Sequence, residues 1–206
     1  QAFLRLNDGK TPLTSSELIK ALYMVNASGL GEEERMEVAK EWEIIENTLR
    51  DEQFWLMFNS KGLFDTPTRI DLLFALVMNV RLEDAKANPR IVFEEIDKHP
   101  DWDLYKVWQA VLRCFWWMKS CYADVELFNY LCWVREFTDN SAKKIYDNWR
   151  KYPEPEDFKK SVVEIIQNNY KEKTGLEQFN YDCDKNELRK LFVLLNVIDC
   201  NHNKER

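Results

Sequence analysis

Apolar residues recur along most of this chain at intervals of three and four, the spacing that lines one face of an α-helix. Between Glu32 and Arg50 the stripe is Met36, Ala39, Trp42, Ile45 and Leu49. Ahead of it, Thr14 and Glu17 have the spacing of a capping box, and Leu18, Ala21, Leu22 and Val25 continue as the apolar face of a first helix. Asp51 reads as an N-cap for a short aromatic segment with Phe54, Trp55 and Phe58. Thr66-Pro67 reads as a cap followed by proline at the first helical position, opening a helix over Arg69–Asn79 with Ile70, Leu73, Phe74 and Val77 inward. Residues 81–100 are polar, with one short helix around Ile91–Ile96. Asp101 is the expected cap of a long helix carrying Leu104, Val107, Trp108, Val111, Leu112, Phe115 and Met118. A helix over Val125–Phe137 carries Leu127, Phe128, Leu131 and Val134. These two are apolar over more than half their circumference, so they are expected at the buried centre. Further helices are expected at Ser141–Arg150, Glu156–Tyr170 and Asp184–Leu195, with the last ten residues a polar tail. Only Phe3-Leu4-Arg5-Leu6-Asn7 alternates like a strand, running into the turn Asn7-Asp8-Gly9-Lys10.

The fold class that follows is all-α: a multi-helix orthogonal bundle of at least seven helices, with a short strand remnant at the N-terminus. Its core is expected to centre on Trp42, Phe74, Trp108, Phe115 and Leu131. With only 5 Gly and 6 Pro in 206 residues, the chain has too few turn formers for a β-sandwich. Eight Trp and twelve Phe supply a large core and leave area for a partner surface.

Charge divides the chain near Asn140. Residues 1–140 hold 16 basic and 24 acidic groups, and residues 141–206 hold 13 and 12. The expected division is a helical core over 1–140 and a C-terminal helical subdomain, or a continuation of the same domain, over 141–206. The acidic first part argues against wrapping nucleic acid, which needs a basic face. Five Cys, most inside apolar stretches, fit reduced thiols of a cytoplasmic protein. No apolar run approaches the roughly 20 residues of a membrane span, so no membrane partner is expected. The first residue is Gln, from which the chain is expected to begin inside a longer reading frame.

The stretch Phe3-Leu4-Arg5-Leu6-Asn7-Asp8-Gly9-Lys10-Thr11-Pro12-Leu13-Thr14, followed by Glu17-Leu18, resembles an element that one family writes as F-x-R-L-N-x-G-G-x-P-L-T-x-x-E-L. Three further blocks are similar in the same order. They are Ala39-Lys40-Glu41-Trp42 on to the Phe54-Trp55 pair, then Thr68-Arg69-Ile70-Asp71-Leu72-Leu73-Phe74, then Val107-Trp108-Gln109-Ala110-Val111 on to Leu131. The family is the domain of unknown function found in GmrSD-type, modification-dependent (type IV) restriction endonucleases of bacterial defence. Its N-terminal core is ParB- and sulfiredoxin-like. Two departures stand out: Asp8-Gly9 replaces a longer Gly-containing turn, and Phe128-Asn129 stands where members usually place Tyr-His.

The resemblance implies that this chain is the helical middle of such an enzyme. The Asp-Gly-Gln-Gln-Arg motif of the ParB-like core would lie before Gln1, and a His-containing HNH-type nuclease region would lie after Arg206. It implies a helical scaffold, while a nucleoside triphosphate and a divalent metal belong to the longer parent. Because the sequence offers no nucleophile–base pair, metal cluster or phosphate-binding Gly loop, the chain is expected to be inactive alone and to hold no cofactor of its own. Its partners would be the flanking N- and C-terminal domains, DNA through the parent, and a second copy if the protein is a homo-oligomer. The alternative is a helical interaction or oligomerisation module.

The candidate ligand-binding residues are Arg5, Asn7 and Lys10, which by the resemblance adjoin the nucleotide-handling core; the other reading is a plain turn. Glu41, Glu43, Glu46 and Asp51 read as a solvated face, with Glu46 or Asp51 as an ion-pair partner for Arg69, rather than as acid–base chemistry. Neither Cys200-Asn201-His202 nor His99 has a second ligand pair at metal spacing. Trp116 and Trp117 are adjacent on a helix and so point about 100° apart; one is expected to be buried and the other to face a second helical layer or an absent domain. Lys143, Lys144, Arg150, Lys151, Lys159 and Lys160 form a basic concentration that could steer DNA, although Glu154, Glu156 and Asp157 interrupt it.

Overall fold

A computed structural model describes residues 13–25, 29–59, 62, 64, 67–173 and 185–203. Among them are eleven helices and no strand. In chain order they are α1 (Ser15–Met24), α2 (Glu32–Leu49), α3 (Glu52–Asn59), α4 (Asp71–Val77), α5 (Leu82–Ala87), α6 (Ile91–Asp97), α7 (Leu104–Ala123), α8 (Val125–Phe137), α9 (Ala142–Lys151), α10 (Pro155–Lys173) and α11 (Lys185–His202). The fold is all-α, as the periodicity predicts. No helix among the described residues is long and apolar enough to cross a membrane. The strand expected at Phe3–Asn7 lies outside the described residues.

The chain forms two compact units: residues 1–51 with 63–115, and residues 52–62 with 116–206. The boundary expected near Asn140 falls inside the second unit.

In the first unit, α2 buries Val38, Trp42, Ile45 and Leu49 completely. Met36, expected inward, is exposed, and Val38 takes its place on the stripe. The indole rings of Trp42 and Trp108 stack with centroids 5.4 Å apart, and Phe74 lies against both at 5.6 and 6.3 Å. The Trp108 indole Nε1 donates to Glu41 Oε2 at 2.6 Å, and the Tyr23 hydroxyl donates to the Leu104 carbonyl at 2.8 Å. Burying these rings removes the largest apolar areas in the unit from water.

Helix boundaries follow local chemistry. The Thr14–Glu17 capping box forms in full, with Thr14 N donating to Glu17 Oε2 at 2.8 Å and Glu17 N to Thr14 Oγ1 at 3.3 Å. For α7, the side chain at the cap is that of Asp103, not Asp101: its Oδ1 accepts from Lys106 N at 3.2 Å. Helix α4 is shorter than expected, beginning at Asp71, whose Oδ2 accepts from Thr68 Oγ1; Thr66, the expected cap, lies outside the described residues. It ends where Asn79 turns left-handed at φ 61°. Val80 N reaches back to Ala75 O and Asn79 N to Leu76 O, so the last carbonyls are satisfied. Helix α5 lies within the stretch read as polar, and α11 runs on through the expected polar tail to His202.

The second unit is built around Trp117, whose ring meets Phe58, Tyr146, Trp149 and Phe158 at centroid distances of 5.0–5.9 Å. Its helix α8 packs against α3, α10 and α11. Leu131, expected in a single core with Trp108, belongs to this second core. Asp124 caps α8 by accepting from Leu127 N at 3.1 Å, and Lys159 of α10 pairs with both Asp124 and Glu126.

Candidate functional site

Where α1 begins, the first unit gathers polar side chains inside its core. Ser15 and Ser16 follow the capping Thr14, and both are buried. Burial of a hydroxyl demands a partner. Ser15 Oγ donates to the Pro89 carbonyl at 2.8 Å and accepts from Phe93 N at 3.4 Å, tying α1 to the start of α6. Ser16 Oγ lies 2.7 Å from Thr68 Oγ1, which donates to Asp71 Oδ2 at 2.9 Å. A run of hydroxyls thus leads from the cap of α1 to the first residue of α4.

Asp71 is 0% exposed, and its other oxygen, Oδ1, has no hydrogen-bond partner among the described residues. Burial raises the carboxyl from its ordinary value near 3.8 to about 7, while the hydrogen bond from Thr68 pulls the other way. The site is closed to solvent, with Ser15, Ser16 and Asp71 all at or below 2% exposure. Its chemistry is to hold the entry of α1 against α4 and α6. Sequence reasoning missed Asp71, yet a signal was present: a carboxylate directly before the apolar run Leu72-Leu73-Phe74.

Arg5, Asn7 and Lys10, the residues singled out for ligand binding, lie outside the described residues, on the stretch that leads into this site. Two of the candidate carboxylates of α2 have structural partners. Glu41 holds the Trp108 indole, and Glu46 lies 3.9 Å from Lys20. Arg69 donates to the Leu49 carbonyl at 2.8 Å. His99 stacks on Trp102 with centroids 4.4 Å apart and approaches Glu95 at 3.5 Å. His202 Nδ1 lies 2.8 Å from the Ile198 carbonyl, and among the described residues no three His, Cys, Asp or Glu side chains cluster as a metal would need. Trp117 is buried and Trp116 is 53% exposed, with Lys119 Nζ 4.9 Å from its ring centroid.

The basic concentration is laced with acids. Lys143 pairs with Asp147, Lys159 with Asp124 and Glu126, and Lys160 with Asp157. An apolar recess of about 350 Å³ opens between Val77, Met78, Trp102 and Val107, but the two charges at its edge, Asp103 and Lys106, engage each other at 3.2 Å. In comparisons with family models, curated proteins and solved structures, nothing matches this chain.

Proposed function

We propose that this chain is the non-catalytic helical scaffold of a DNA-targeting, nucleotide-dependent restriction endonuclease of the GmrSD type. One observation carries the reading: the blocks that resemble the family are the blocks that bind one another. Thr14 of the opening element reaches the Thr68–Phe74 block by way of Ser16, a position the family pattern leaves open: Ser16 Oγ lies 3.2 Å from Thr14 Oγ1 and 2.7 Å from Thr68 Oγ1. The Glu41-Trp42 block meets the Val107-Trp108 block through an indole hydrogen bond and a ring stack. Phe74 touches both tryptophans. Residues that recur together in a family for packing reasons are expected to be in contact, and Trp42, Phe74 and Trp108, one from each of three blocks, support the reading in that way.

In this reading the chain contributes rigidity and orientation. By the resemblance, Arg5, Asn7 and Lys10 adjoin a nucleotide held by an upstream core, while the hydroxyl run holds the start of α1 against α4 and α6. The nucleoside triphosphate, the divalent metal and the bond cleavage belong to flanking domains. A helical interaction module is the second reading, and the apolar face of α11 favours it.

The purified chain is expected to give neither triphosphate hydrolysis nor DNA cleavage with a divalent metal present. Turnover that disappears when one of its own residues is changed would overturn the scaffold. A parent reading frame lacking both the upstream Asp-Gly-Gln-Gln-Arg motif and a downstream His-containing nuclease motif would overturn the assignment.

A further inference from the structure

Helix α11 turns an apolar seam to solvent. Leu188, Phe192, Leu195, Asp199 and His202 follow one another at steps of four and three, within about 80° of one helix face. That step pattern is the one by which two helices mesh side by side. Phe192 is 61% exposed and Leu195 51%, unusual for the largest apolar groups of a helix. Beside the seam, α8, α10 and α11 leave an apolar hollow of about 260 Å³ walled by Tyr130, Val163, Ile166, Leu191, Leu195 and Ile198. A projecting ring and an empty recess therefore share one flank of one helix. Two copies related by a two-fold axis can fill both recesses with both rings, because an isologous contact uses the same patch twice.

Charge selects the occupant and its direction. Arg189 and Lys185 are exposed at the start of the helix, and Asp199 is exposed near its end. None of the three has a partner among the described residues, whereas the neighbouring Lys190 and Glu187 pair at 2.8 Å. Laid parallel, a second α11 would set Asp199 against Asp199 and Arg189 against Arg189. Laid antiparallel, with the axis between Phe192 and Leu195, it sets each Phe192 against the other copy's Leu195. Each Asp199 then stands beside the other copy's Arg189 and Lys185, and the two helix dipoles oppose. The geometry points to an antiparallel homodimer of this chain through α11, a surface independent of the scaffold reading. The seam is short, so the interface sits at the small end of stable contacts and its dissociation constant falls in the micromolar range.

Sedimentation equilibrium of the whole chain, over roughly 1 to 500 µM, is the test. The mass is expected to climb from the 24.8 kDa monomer towards twice that value. Phe192→Glu should hold it at the monomer. Arg189→Asp and Asp199→Arg should each weaken association by about tenfold, and the two together should restore it, since the reversed pair is again complementary. All of these positions are exposed, and unchanged far-UV circular dichroism shows that each variant folds. A wild-type chain monomeric at the highest concentration overturns the proposal, as does a double reversal that fails to rescue. Phe192→Glu lowering the melting temperature at constant monomer mass also overturns it, because the seam would then be covered by the chain's own residues.

Discussion

Replacing Asp71 by Asn should make the first unit more stable at pH 8 and no more stable at pH 4 to 5. The carboxyl loses its proton near 3.8 in the unfolded chain and at about 7 in the folded one. Between those values the folded state binds the extra proton, so stability falls as pH rises, and the loss is complete only above about 7. At about 1.4 kcal/mol per pH unit, a gap of roughly three units puts the cost of ionising Asp71 on the order of 4 kcal/mol. Asn removes that cost and keeps an acceptor for Thr68, but it brings amide hydrogens into a site where Oδ1 has no partner. Leaving them unsatisfied costs about 1–3 kcal/mol, so the net gain at pH 8 is about 1–3 kcal/mol. At acid pH only the penalty remains. Urea unfolding followed by far-UV circular dichroism at pH 4.5, 6, 7 and 8 reads the difference. The wild-type curve should slope downward relative to the variant, and the two should cross between about pH 4.5 and 6. Parallel curves would refute the buried, proton-holding carboxyl.

Trp108→Ala should lower stability by about 3–5 kcal/mol through cavity formation and the loss of the Glu41 hydrogen bond, whereas Trp116→Ala should cost well under 1 kcal/mol because that ring is half exposed. Differential scanning calorimetry separates the two. Ser16→Ala should cost about 1–2 kcal/mol, since it leaves Thr68 with a broken hydroxyl run; an unchanged melting temperature would show that the run bears no strain. On the proposed scaffold reading, Arg5→Ala in an enzyme that carries this chain should weaken nucleotide binding by roughly tenfold without moving the melting temperature. Titration calorimetry and a thermal melt on the same sample check both halves.

Helix existence was readable because burial in this fold is one-sided, and a one-sided face writes its period into the chain. The Val125–Phe137 helix, apolar over more than half its circumference, also matches to the residue. Which faces meet was not readable. Periodicity placed Leu131 with Trp108, but it reports that a face is buried and not what buries it. Met36 and Val38 show the same limit within one helix: both fit a stripe, and only the neighbours decide between them. The short α5 was hidden because its six residues, Leu-Glu-Asp-Ala-Lys-Ala, carry one large apolar group. The extension of α11 was hidden because a face left bare looks like a tail. Asp71 was the hardest to see, since a carboxylate at the first turn of a helix is usually a solvated dipole partner. Only the packing of Ser16 and Thr68 over it makes it a core residue.

The discontinuous build of the first unit matters to a ribosome. Trp42 leaves the exit tunnel 66 residues ahead of the Trp108 that stacks on it. At about 5–20 residues per second, that delay lasts on the order of 3–13 s, far longer than a helix takes to form. For that interval α2 carries the finished half of an aromatic contact with nothing to set against it. The part of the acidic surplus that lies ahead of Trp108 emerges in that same interval, and like charge opposes contact between neighbouring nascent chains until the second tryptophan arrives.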